Sequence, residues 1–214
     1  MNSAADQLLV FVLLINILIL GTRRTNIAIR AIAAQGIVLG LLPLMTHSFH
    51  SHILIITIFV LLAKGVCIPW LLLGALKKAD SKEDLQPVFG YSGNIIAGAI
   101  TTVLAFVFAA KLPLAPIHQG LLIVPASLAT ILAGFIAIAN RRQAINQVVG
   151  YLMLENGIFI FGLLLTEAMP LMVEAGALLD LIAGIFVMGL IIRQINREFS
   201  SIDTSRMTAL REVE

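Results

Sequence analysis

Long apolar runs broken by short polar clusters make up nearly the whole chain. Read between the breaks, seven candidate helices fall at roughly 5–21, 28–46, 53–76, 93–111, 118–139, 143–165 and 171–193. Most are close to the roughly 20 residues that carry an α-helix across a hydrocarbon core. The breaks are TRRTN, HSFHSH, KKADSKEDLQP, KLPLAPIHQ, NRRQ, TEAMP and the stretch from Gln194 onward. Arg30 lies near the start of the second run and must snorkel back to the interface. The pattern predicts an all-α integral membrane protein with seven transmembrane helices. It divides into a five-helix region, 1–139, a last pair of helices, 140–199, and a short polar tail, 200–214. No low-complexity tract and no fixed-period repeat is visible.

Composition agrees. The 214 residues are 59% hydrophobic and 12% charged, with a mean hydropathy of +1.01, whereas a soluble domain is about half apolar and a quarter charged. A net charge of +2 gives no sign of a nucleic-acid partner. The basic residues sort by loop instead. Arg23, Arg24 and Arg30, then Lys77, Lys78 and Lys82, then Arg141 and Arg142, then Arg193, Arg197, Arg206 and Arg211 occupy alternate connections. They account for twelve of the fourteen Lys and Arg. Loops rich in Lys and Arg face the cytoplasm, so the N-terminus is expected outside and the C-terminus cytoplasmic. That arrangement needs an odd number of spans, and seven fits. The start, MNSAADQLLVFVLL, has no basic n-region and reads as a retained first span rather than a cleaved signal peptide. The single cysteine, Cys67, excludes a disulfide framework and is expected as a small core filler.

Three charges lie inside apolar runs. Glu155 comes 13 residues after Arg142, Asp180 comes 13 before Arg193, and Lys64 comes 13 before Lys77. At 1.5 Å per residue each is roughly 20 Å in from a basic loop, so the three share one level near mid-membrane. Such a group costs about 2.5–3.5 kcal/mol on an insertion scale and faces the bundle interior or a hydrated cavity. A carboxylate escapes the cost by binding a proton and an amine by losing one. Groups that can change charge at one depth are what a lateral proton relay requires. The competing reading is an ion pair that only pins helices together.

Local spacing adds detail. Gln143, Gln147, Tyr151 and Glu155 step by four along one ridge, from the cytoplasmic end of the sixth run to the acid. That ridge serves either a proton path or ordinary interhelical hydrogen bonding. Gly176, Asp180 and Gly184 also step by four, and the glycines let a neighbouring backbone approach the acid. Pro69 offers no N–H to the Gly65 carbonyl, which predicts a distorted turn beside Lys64. Glu174 and His118, near the outer face, are candidate proton exits, with a hydrated helix end as the plainer reading. Asn156 is placed to hydrogen-bond Glu155. His47, His50 and His52 match no standard metal spacing. No phosphate-binding loop, haem or iron–sulfur ligand pattern, or nucleophile–base arrangement is present. No catalytic centre, cofactor site or metal site is therefore expected in this chain.

RRQAINQVVGYLMLENG, followed by VEAGALLDLIAGIFVMGLIIRQINREFSSIDTSRMTALRE, resembles the hydrogenase-4 component E family. KGVCIPWLL fits the lysine–proline pattern of the same family. Its members are similar to the small K-type (4L) chain of complex I, extended at the N-terminus by extra helices. Here the likeness is strongest from about Arg141, with a start near 118 also open. The resemblance implies a multi-pass subunit, in the bacterial cytoplasmic (inner) membrane, of a formate hydrogenlyase-type group 4 [NiFe] hydrogenase. Its partners would be antiporter-like membrane subunits and a peripheral hydrogenase arm, besides lipid. The NiFe centre and iron–sulfur clusters would belong to partner subunits. Asp180 would stand for the acid on the last K-type helix. On the preceding helix Leu152 occupies the K-type acid's place and Glu155 follows three residues on, about 4.5 Å deeper along the same face. Competing classes are the equivalent subunit of a cation/proton antiporter assembly, a self-sufficient seven-helix carrier or receptor, and a purely structural spacer.

Overall fold

A computed structural model describes residues 3–46, 58, 61–78, 90–113, 122–141, 144–165 and 189, and these are almost entirely helical. Helix α1 is Ser3–Gly21 and α2 is Thr25–Thr46. α3 begins as a π-helical segment, Leu61–Cys67, and continues as the α-helix Ile68–Lys78. α4 is Gly90–Lys111, α5 Ile123–Ala139 and α6 Ala144–Leu165. Three stretches, Ala4–Gly21, Thr25–Pro43 and Gly90–Lys111, are long and apolar enough to cross a membrane by length and composition, while Lys64–Gly74 and Ile123–Ala139 are apolar but shorter. Of the seventh predicted run only residue 189 is described, and Asp180 and Glu174 lie outside the described residues. So do His118, Gln143 and the histidines at 47, 50 and 52.

The distortion expected at Pro69 takes the form of the π-helical segment just before it, with Lys64 at its centre. Single π-turns of this kind recur at functional sites. Cys67 departs from expectation. It is exposed rather than a core filler, because the same stretch turns Leu62, Val66 and Trp70 outward as well.

Four helices form a ring of neighbours: α1 packs on α2 and α5, and α6 packs on α5 and α2. α3 lies against α2, and α4 lies against α1 and α5. Two apolar clusters fill the ring at different heights. Toward one end Ile19, Ile29, Leu72, Leu76, Val149 and Met153 pack together. Toward the other, Leu9, Val12, Leu39, Leu42, Ile123 and Ile160 do so. α4 is the edge. It buries only a stripe of Asn94, Gly98, Ala105 and Ala109, and Leu20 of α1 fills the space a side chain at Gly98 would take.

One end of the bundle is fastened by polar contacts. Arg141, just past α5, donates from Nη2 to the Ile19 carbonyl at 2.7 Å, satisfying an acceptor in the last turn of α1. Burial pushes the pKa of its guanidinium down to about 10, because desolvation disfavours the charged form. Asn140 donates to the Asn94 side chain, and the Arg23 guanidinium lies 4.8 Å from the Tyr91 ring centroid. The basic connections after α1 and α5 and the start of α4 therefore gather at a single end.

Candidate functional site

Between the two apolar clusters lies a layer of buried polar side chains. Each helix of the ring contributes, and α3 supplies the cation. Lys64 is 7% exposed and Glu155 3%, and Lys64 Nζ stands 2.9 Å from Glu155 Oε1. The π-helical segment presents the lysine, and α6 presents the acid one turn beyond half-buried Tyr151. Phe159, a further turn along α6, places its ring centroid 5.2 Å from the ammonium, within reach of a cation–π attraction.

The pair is one end of a longer chain. Lys64 Nζ donates to Asn156 Oδ1 at 3.4 Å, and Asn156 Nδ2 donates to Gln35 Oε1 at 3.3 Å. Gln35 Nε2 donates to Asn16 Oδ1 at 2.8 Å, and Asn16 Nδ2 donates to Thr130 Oγ1 at 2.8 Å. The Thr130 hydroxyl donates in turn to the Ala126 carbonyl at 2.7 Å. Lys64, Asn156, Gln35, Asn16 and Thr130 come from α3, α6, α2, α1 and α5, so the chain crosses five helices. Buried polar groups must find partners, and here each finds one in the next helix.

Asn156 was expected beside Glu155 and instead bonds Lys64 and Gln35. Sequence reading missed Asn16, Gln35 and Thr130, because neutral amides and hydroxyls are routine in helix packing. A signal was available. Gln35 lies 11 residues after Arg24 and Thr130 lies 11 before Arg141, which sets both near the depth assigned to the charges. The α6 ridge is graded: Glu155 is buried, Tyr151 half-buried and Gln147 exposed. Gln147 Nε2 donates back to the Arg141 carbonyl at 2.9 Å, so its amide fastens the helix start.

Gly36 lets α2 and α3 meet at the site. A Cβ there would stand 2.9 Å from Lys64 Cβ and 3.0 Å from its carbonyl carbon and oxygen. Gly36→Ala must push backbone against backbone, and overpacking of this kind costs roughly 1–3 kcal/mol. The expected result in denaturant titration is a loss in that range. Wild-type stability would show that α3 does not sit this close.

Over 204 residues the chain is 30% identical to "Uncharacterized protein Rv0085" of Mycobacterium tuberculosis (strain ATCC 25618 / H37Rv), covering 93% of this chain and 92% of that protein. Over 163 residues it is 29% identical to "Hydrogenase-4 component E" of Escherichia coli (strain K12), covering 75% of this chain and 74% of that one. The match to the protein of the same name from Shigella flexneri has the same values. No family profile and no solved structure matches the chain.

Proposed function

The chain belongs to the family of that mycobacterial protein, and from this premise, with its likeness to hydrogenase-4 component E, we propose that it is a non-catalytic membrane subunit of a complex I-like, energy-converting hydrogenase. Lys64, Glu155 and Asp180 form a lateral proton-transfer axis at mid-membrane, coupling redox chemistry in partner subunits to ion translocation. The subunit is multi-pass in the bacterial inner membrane, with seven spans, the N-terminus outside and the C-terminus cytoplasmic. Its last helices correspond to the K-type chain. The antiporter-like subunits and the hydrogenase arm are its neighbours, and the NiFe and iron–sulfur centres reside in those partners. The complex is of the formate hydrogenlyase type.

The observation that carries this reading is the Lys64–Glu155 contact, 2.9 Å long and sealed between two apolar clusters. Two groups that can each hold or lose a proton meet where water is scarce, so a charge change at one must be answered by the other. The graded ridge from Gln147 through Tyr151 supports access from the arginine-bearing end. The gathering of Arg23 and Arg141 at that end supports the orientation.

The test separates assembly from pumping. Glu155→Gln and Asp180→Asn are introduced into the complex, and subunit recovery and proton translocation are measured independently. Assembly is expected to persist while translocation falls by roughly a hundredfold, the scale of a lost proton-transfer group. Intact assembly with unchanged pumping in both variants would leave a structural role instead.

A further inference from the structure

The hydrogen-bond chain that leaves Lys64 has one direction. Each donor points away from the ammonium and each acceptor points back toward it, from Asn156 Oδ1 to the final Ala126 carbonyl. Five acceptor oxygens in series thus face a cation, an arrangement in which each bond polarises the next. Three of the four intermediate links are carboxamides, whose oxygen only accepts and whose nitrogen only donates. A proton handed to Asn156 Oδ1 could move on only if a neutral amide N–H gave up its own, leaving an imidic acid at every step. The terminal carbonyl of Ala126 has no proton to release. The chain can orient and stabilise a charge, but it cannot conduct one.

We propose that Asn156, Gln35, Asn16 and Thr130 are positioning residues for Lys64. They fix its ammonium against Glu155, and they end the ionisable path at Lys64, so that no proton crosses α1, α2 and α5. This assignment deepens the reading of the site as a proton axis and rests on it for its meaning in the complex. It gives the N-terminal helices a definite task, which is to close one end of the axis with a rigid polar stop.

Two measurements test it. The first uses the purified full-length chain in lipid nanodiscs, with NMR detection of side-chain amide exchange into deuterated water. Asn16 and Gln35 are expected to exchange at least about tenfold more slowly than exposed Gln147, as static buried donors do. Exchange at the Gln147 rate would overturn the proposal, because a conducting chain renews its protons. The second uses the assembled complex. Asn156→Leu removes the acceptor nearest the amine and should lower translocation by roughly a hundredfold through misplacement of Lys64, with recovery in Asn156→Gln. Full pumping in an assembled Asn156→Leu complex would sink the assignment. Should Glu155→Gln leave pumping unchanged, the functional reading falls, while the exchange rates still decide whether the chain conducts.

Discussion

Lys64→Met should cost the purified chain roughly 3–5 kcal/mol of stability, the penalty for leaving one member of a buried ion pair alone. Glu155 would then sit 3% exposed between two apolar clusters with its cation gone. The double variant Lys64→Met/Glu155→Leu should regain most of that loss, because well-packed apolar groups replace a buried pair at little or no cost. The coupling between the two sites is thus expected to be large and favourable, read from denaturant titration of wild type, both single variants and the double. Additive single effects would mean that the groups do not meet. The same double variant should be folded yet inactive in translocation. That outcome is the clearest separation of what the pair does for the fold from what it does for function.

The apolar periodicity carried most of the helical map. The predicted ends of the first, second, fourth and sixth runs lie within three residues of α1, α2, α4 and α6, since a membrane helix starts and stops where polar side chains can reach water. The buried charges were legible for the related reason that Lys64 and Glu155 are conspicuous in any apolar run. Their pairing was legible only as the competing ion-pair reading, which did not say which acid Lys64 meets. Depth along each helix follows from a count of residues, but the rotation of one helix against another depends on which small residues meet, and that information is spread over distant segments. Gly36 opposite Lys64 is an example, as the two are 28 positions apart in sequence. The exposure of Cys67 was missed on the same account, because α3 buries Leu72 and Leu76 and turns its other side outward.

The polar layer also changes how the five helices should be viewed energetically. In lipid, helix association gains little from burying apolar surface, and close packing and interhelical hydrogen bonds take over. The amide chain fixes the rotation of four helices about the lysine. The apolar clusters above and below add contact but specify little, because Leu and Ile can repack. Polar specification at mid-depth and small-residue contact along the seams are therefore complementary. The seam between α5 and α6 bears the larger share of the packing.

That seam gives the second large expected effect. A Cβ at Gly134 would lie 2.6 Å from Leu154 N and 2.7 Å from its Cα, and one at Gly157 would lie 2.7 Å from Ile131 N. A Cβ at Gly150 would lie 2.8 Å from Ile138 N. The obstructing atoms are backbone, which cannot rotate away as a side-chain end can. Gly134→Val should therefore force the two helices apart and lose roughly 3 kcal/mol or more, beyond the usual range for an added methylene. Because Thr130 lies one turn from Gly134 and Asn156 two residues from Leu154, the same variant should break the Asn16–Thr130 link and accelerate amide exchange at Asn16. Gly74 supplies the control: nothing stands within 4 Å of a Cβ there, and Gly74→Ala should be neutral or stabilising by up to about 1 kcal/mol through helix propensity. Equal stability of Gly134→Val and Gly74→Ala in thermal unfolding would show that α5 and α6 do not make backbone contact. The close placement of Thr130 and Asn156 would then lose its physical basis.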